Sequence, residues 1–315
     1  MNSSIEQNNS VEKITPTSAP SNPKIVYFGK DEFLPTKIKG DLAKYDITEL
    51  DLEDVISDTQ LSKIEFRSEY IYIALQFPEF DKIKKTFIEK EVHCFVNKEF
   101  LIIINKHEFK GVESFQNINN MDIDRNTTFD LFYEMLWNGL NNSYRAMLKL
   151  KIEVHQLNQQ IFEDVSMDKD LIFDIQNMKR NIVNFEGIIE PLSEVLQSIE
   201  VRYHRLVDIE DKEQVDDCLD LIKKIINNLN ILKQQIQIIS ETNEAIIARS
   251  TNEVVKRLTG ISIIVLVPST ITGFFSMNMY YGFSPGETWP TITVTITVLL
   301  LTTIVYLVLR KKNWI

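Results

Sequence analysis

Hydrophobic and polar positions change rhythm twice along this 315-residue chain. From about residue 24 to 126 the apolar residues come in short runs rich in β-branched and aromatic side chains: IVYFG (25–29), YIYIALQF (70–77), VHCFV (92–96) and FLIIIN (100–105). Such runs read as strands. VHCFV and FLIIIN, separated by Asn97-Lys98-Glu99, predict a hairpin. DITELDLEDVIS (46–57) spaces its Leu and Val residues as a helix packed on a sheet would. This stretch is expected to be an α/β domain, preceded by a Ser-, Asn- and Pro-rich tail (1–23) expected to be disordered.

Over 127–257 the apolar period becomes three and four. Leu148, Ile152, His155 and Gln159 form one mixed face; Leu219, Ile222, Ile226, Leu229, Leu232 and Ile236 form a strongly apolar one. Glycine occurs only at Gly139 and Gly187, proline only at Pro191. Long antiparallel helices follow, broken by the acidic segment VDIEDKEQVDD (207–217). The last helix, from about Lys212, is expected to run on without interruption as a rod of roughly 90 Å at 1.5 Å per residue.

Beyond residue 257 two runs carry no charge: LTGISIIVLVPSTITGFFSM (258–277) and TITVTITVLLLTTIVYLVL (291–309). Each has about the 20 residues needed to cross a hydrocarbon core as a helix, the form whose backbone groups satisfy one another without water. The reading is an α+β membrane protein: helical stalk 127–257, first span 258–278, external loop 279–290, second span 291–309 and basic tail 310–315. Lys256 and Arg257 precede the first span; Arg310, Lys311 and Lys312 follow the second. Basic flanks stay inside, which places both termini in the cytoplasm and the 279–290 loop, with Glu287, outside. The first residues, MNSSIEQNNS, have no signal-peptide pattern.

Composition narrows the function. The chain has 34 Lys plus Arg against 45 Asp plus Glu, a formal net charge of -11, which argues against a nucleic-acid partner. Two cysteines without a pairing pattern fit a reducing compartment. The four histidines show no zinc-ligand spacing. No phosphate-binding loop, nucleophile–base set or organic-cofactor motif is present, so an enzyme is the poorest fit.

The junction TNEVVKRLTGISIIVLVPSTITGFFSMNMYYG (251–282) resembles the CorA family of divalent-cation transporters, whose first span closes on Gly-Met-Asn. Here Ser276-Met277-Asn278 occupies that place, after Asn252-Glu253-Val254-Val255-Lys256, Pro268 and Gly273. Upstream, Leu52-Glu53-Asp54-Val55, Lys63-Ile64-Glu65, Tyr70, Met178-Lys179-Arg180 and Pro191-Leu192 are similar to the family's pattern, so the resemblance covers roughly 24–315. Serine in place of the signature glycine is the departure.

The resemblance implies a homopentamer in the bilayer, the first spans around an axial pore and the second spans facing lipid. A selectivity filter of Ser276, Met277 and Asn278 would meet Mg²⁺, with Co²⁺ or Ni²⁺ as further candidates, in its water shell, since Mg²⁺ dehydrates reluctantly. Ser269, nine residues before Asn278, or Thr270 beside it, would offer a second hydrated-ion position; Ser262, Leu266 and Gly273 also line the path. Val255 and Leu258 would close it by excluding water. The plain alternatives are a helix cap at Asn278, hydroxyls bonded to their own backbone, and ordinary helix packing. Asp81, Asp217 and Asp220 match regulatory metal positions, against the alternative of a solvated acidic surface. The driving force needs no fuel, because a divalent cation gains about 4.6 kcal/mol over 100 mV. The expected function is Mg²⁺ entry gated by cytoplasmic Mg²⁺, with no organic cofactor. The rivals are a zinc transporter of the ZntB branch and a non-conducting coiled-coil scaffold.

Overall fold

A computed structural model describes residues 24–57, 61–120, 128–163, 169–203, 212–276 and 288–314. The elements, in order, are β1 (Lys24–Gly29), α1 (Pro35–Leu42), α2 (Glu49–Ile56), β2 (Lys63–Phe66), β3 (Ile71–Asp81), β4 (Thr86–Val96), β5 (Phe100–Asn105), α3 (Thr128–Glu163), α4 (Lys169–Tyr203), α5 (Lys212–Ser276) and α6 (Trp289–Lys311). They fall into two compact units: Met1–Leu157 with Phe173–Ile236, and Asn158–Ile172 with Gln237–Ile315. The tail 1–23 lies outside the described residues.

The first unit is built on a five-stranded sheet ordered β1-β5-β4-β3-β2. β1 runs parallel to β5, and the other neighbours are antiparallel. The predicted hairpin is β4–β5, with Val96 opposite Leu101. β3 and β4 are each 11 residues long, extending past the predicted runs through Glu79–Asp81 and Thr86–Glu91, where polar residues alternate with Phe80, Phe87 and Ile88. β2 and α1, which have no comparable apolar run, were not legible in the pattern.

Every residue of β5 is buried because the sheet is covered on both faces. Tyr72, Ala74, Phe95, Ile102 and Ile104 point to one face and pack with Ile38 and Leu42 of α1 and Leu52 and Val55 of α2. On the other face the thiol of Cys94 lies 3.6 Å from Met135 Sδ of α3. Gly139 of α3 sits so close to the Phe77 ring that a Cβ there would come within 2.6 Å of it. Phe77 is fully buried and stacked on Phe109 with ring centroids 4.8 Å apart, so the ring cannot yield. Glycine is required there by space.

α3, α4 and α5 each bury one stripe. On α5 the predicted face holds: Leu219, Ile222, Leu229, Leu232 and Ile236 are buried, joined by Ile225, with Ile226 half-buried. On α3 the predicted face is displaced. Met147, Leu150, Val154, Leu157 and Ile161 form the core side, while Leu148 and Ile152 are 37% and 58% exposed. The true stripe is the one that keeps its apolar period through the whole helix; His155 and Gln159 already broke the other. α5 is continuous over 65 residues despite Pro268, and the acidic segment 207–217 is helical from Lys212 onward.

Among the described residues α5, which enters the second unit at Gln237, and α6 are the two helices long and apolar enough to cross a membrane. Their apolar side chains stay largely uncovered by the chain: Ile261, Val265, Phe274, Ile292, Ile296, Leu299 and Leu307 are all exposed. Exposing such a side chain to water costs about 1.5–3 kcal/mol relative to burial. In lipid that cost vanishes.

Candidate ion pathway and metal-binding groups

The pore candidates share one side of α5. At about 100° per residue, Val255, Leu258, Ser262, Leu266, Ser269, Thr270 and Gly273 fall within an arc of about 120°. All seven are exposed; Val255, Leu258 and Leu266 are 53%, 63% and 63% accessible. Gly260, Ile263, Ile264, Val267, Pro268 and Ile271, on the opposite side, are buried or half-buried. The chain partly covers the side around Gly260 and Ile264; the hydroxyl-bearing arc is bare, as are Ile261 and Val265 beside it and Phe274 and Phe275 at the end of the helix.

Those hydroxyls have local partners. Ser262 Oγ donates to Leu258 O at 2.9 Å, Ser269 Oγ to Val265 O at 2.7 Å and Thr270 Oγ1 to Leu266 O at 2.9 Å. Donation to the backbone leaves each oxygen's lone pairs facing outward as acceptors, the polarity that a hydrated cation's water shell requires. A Cβ on Gly273 would meet nothing within 4 Å, so no contact inside one chain demands glycine there. Ser276 is the last residue of α5; Met277, Asn278 and Glu287 lie outside the described residues. Ser269 belongs to the arc through its alignment with Leu258, Ser262 and Leu266.

The regulatory candidates are in the first unit. Asp81 ends β3, and its Oδ1 accepts from the backbone N–H groups of Ile83 at 2.8 Å and Lys84 at 3.1 Å. The N–H groups of Lys84 and Ile83 hold its carboxyl below the usual range. Asp217 and Asp220 are exposed on the first turns of α5, with Asp220 3.8 Å from Lys223. Among the described residues the carboxylates gathered closely enough to share an ion are Asp51, Asp54 and Glu65, with ligand atoms within 4.8 Å of one another. Asp81, Asp217 and Asp220 are not in that group.

Two cations already occupy the Asp51 group, against its three carboxylates. Arg67 donates to Asp51 and to Glu65, and Lys63 Nζ reaches Asp54 at 2.5 Å and Glu65 at 3.0 Å. Tyr70 Oη donates to Asp51 at 2.6 Å. Burial pushes the Asp51 carboxyl up, but the hydrogen bonds from Arg67, Tyr70 and Thr48 outweigh it and hold it below its ordinary value. This is a brace between α2 and the β2–β3 edge.

A second buried network escaped the sequence reading. Glu91 Oε2 lies 3.2 Å from Lys106 Nζ and 3.7 Å from Nε2 of both His93 and His107. Tyr72 Oη is 3.0 Å from His93 Nδ1, and Lys106 also donates to Ser57 O at 2.6 Å, beyond the end of α2. Burial pushes the Glu91 carboxyl up, yet the imidazoles of His107 and His93 and the Lys106 ammonium hold it far below the carboxylate range. Burial pushes the His93 imidazole down, keeping it neutral. The Lys106 charge compensates Glu91 directly. A signal was present in the inward-facing alternation Glu91, His93, Phe95 along β4, but nothing local names Lys106 as the partner.

The sheet-plus-long-helix architecture and the paired C-terminal apolar helices define a class of two-span membrane protein with a large extramembrane front. Residues 38–311 match the model of the CorA-like Mg²⁺ transporter protein family, and the chain belongs to that family. It is 25% identical over 277 residues to the cobalt/magnesium transport protein CorA of Thermotoga maritima, covering 86% of this chain and 78% of that one. Its fold is that of the complete CorA magnesium transporter of Methanocaldococcus jannaschii, with a TM-score of 0.76, 18% identity, and 92% and 91% of the two chains covered. The ZntB cytoplasmic domain from Vibrio parahaemolyticus is similar at a TM-score of 0.58 and 10% identity, over 73% of this chain and 90% of that domain. As a member of the CorA family, the chain is a membrane transporter of divalent cations and not an enzyme.

Proposed function

We propose that this chain is the subunit of a homopentameric channel that passes hydrated Mg²⁺ into the cytoplasm across the cell membrane, with both termini inside. The observation that carries the reading is the bare arc of α5 from Val255 to Gly273, uncharged, hydroxyl-bearing and uncovered by its own chain. Five copies of that arc facing an axis would line a path, with the second spans toward lipid and residues 127–257 as the funnel beneath it. Ser276, Met277 and Asn278 form the outer filter. Ser262 and Ser269, flanked by Thr270, offer acceptor oxygens to the water shell, and Gly273 leaves room between them. Val255, Leu258 and Leu266 form rings that close the path by dewetting. Glu287, in the outer loop, raises the local cation concentration.

Flux into liposomes tests this. Mg²⁺ entry is expected to follow an inside-negative potential and to be indifferent to a proton gradient; Co²⁺ is expected to enter more slowly. Zn²⁺ entry that depends on protons, without Mg²⁺ entry, would transfer the reading to zinc. No entry of any cation would leave the scaffold.

Gating rests on Asp81 and Asp217, with Asp220 nearby, meeting across neighbouring subunits around cytoplasmic Mg²⁺. Losing the ion leaves like charges opposed and biases the assembly toward opening. Asp81→Asn with Asp217→Asn is expected to weaken the protection that Mg²⁺ gives the purified protein against proteolysis. Unchanged protection in the double variant would remove these residues from regulation.

A further inference from the structure

We infer that the inner end of the two spans is a binding site for the headgroups of anionic phospholipids, built from Lys256 and Arg257 of α5 and Arg310, Lys311 and Lys312 at the end of α6. The proposal rests on the membrane placement above. After residue 248 the sequence has six of the chain's basic residues against only two acids, Glu253 and Glu287, although the whole protein is acidic at -11. Arg249 takes Glu253, with Nε 3.3 Å from Oε1. The remaining five cations are exposed, and among the described residues none of them forms an ion pair.

Backbone geometry puts the five at one depth. Arg257 lies 19 residues before the end of α5 and Arg310 lies 21 residues after the start of α6. At 1.5 Å per residue both distances are about 30 Å, one hydrocarbon thickness. The α6 end is also an ordered platform. Asn313 adopts a left-handed conformation (φ 55°), Asn313 N donates to Arg310 O at 3.1 Å, and Trp314 N turns back to Leu309 O at 3.0 Å. This is a glycine-type helix stop made with asparagine. It fixes three consecutive cations around the last turn and folds Trp314 beside them, an indole at headgroup depth.

Compensation of a helix dipole accounts for part of this arrangement, since cations favour a helix C-terminus. It does not account for Lys256 and Arg257, which sit in the interior of α5. An anionic membrane surface accounts for all five: each juxtamembrane Lys or Arg adds favourable interaction with anionic lipid, decaying within a Debye length.

The experiment equilibrates the purified full-length protein with equal amounts of phosphatidylglycerol and phosphatidylcholine in detergent, then extracts and counts the lipid it retains. Phosphatidylglycerol is expected to be enriched at least fivefold. The enrichment should fall toward parity in R310Q/K311Q/K312Q, should weaken in K256Q/R257Q, and should persist in R310K. Millimolar inorganic phosphate should leave it unchanged. Equal retention of the two lipids by the wild-type protein, undiminished enrichment in the triple variant, or displacement by free phosphate would each overturn the site. The wild-type comparison stands even where a variant fails to assemble. Lipid retention is read without flux, so loss of this site leaves the transport reading standing, and absence of flux with enrichment intact sinks only the transport reading.

Discussion

Asn278→Ala is expected to reduce Mg²⁺ flux into liposomes to background, a loss of at least about tenfold, while the oligomer elutes unchanged. Mg²⁺ holds its first water shell tightly, so a filter that demanded dehydration would stall the ion. A ring of neutral amide oxygens accepts hydrogen bonds from those waters and holds the hydrated ion weakly enough to release it. Alanine removes every one of these acceptors and leaves an apolar ring that excludes water. Asn278→Asp supplies the opposite failure: acceptors remain, but added negative charge retains the ion and slows its release. A Mg²⁺-sensitive dye inside the vesicles separates the cases. Wild-type flux in the alanine variant would end the filter assignment, and with it the role given to the outer end of α5.

The second large effect concerns stability. Lys106→Met is expected to lower the thermal midpoint of the purified protein by roughly 10 °C, following a loss of about 3–5 kcal/mol. The Glu91 and Lys106 side chains are both nearly inaccessible and 3.2 Å apart, so removing the ammonium leaves a carboxylate in a poorly polar interior. His93 is held neutral there and does not replace the lost charge, which leaves His107, 3.7 Å from the same oxygen, as the remaining contact to the carboxylate. Adding Glu91→Gln to the same chain should recover part of the loss, because the uncompensated charge is gone. The pH dependence carries a sign. Glu91's folded-state value is depressed, so its contribution in the wild type is present above the unfolded carboxylate value, near 4.3, and fades as pH falls below it. In Lys106→Met the carboxylate protonates more readily, and the gap to wild type should narrow as the solution is acidified. Circular dichroism melts at several pH values measure both. A midpoint within 2 °C of wild type would show that the pair contributes no net stability.

Local pattern carried far in this chain. The hairpin of β4 and β5, helix α2, the buried face of α5 and the two spans each announce themselves within a dozen or two neighbouring residues, because β alternation, helical period and hydropathy are local properties. The family resemblance was legible at the 251–282 junction for the same reason. The α3 stripe was misplaced because two near-equivalent apolar faces, one residue apart, compete over 147–161, and only the packing partner selects between them.

The sequence by itself determined that two uncharged helices must leave water, that an acidic α/β front precedes them, and which residues sit at the junction. The tertiary structure decided which charges meet. Glu91, His93, Lys106 and the end of α2 converge through the β4–β5 register and the packing of α2, and Asp51 finds Arg67 16 residues away. It also decided which side of α5 stays bare. Hydropathy is additive along the chain and so can be read in order; the partner of a buried charge, or of a helix face, depends on distances between segments that no local period encodes.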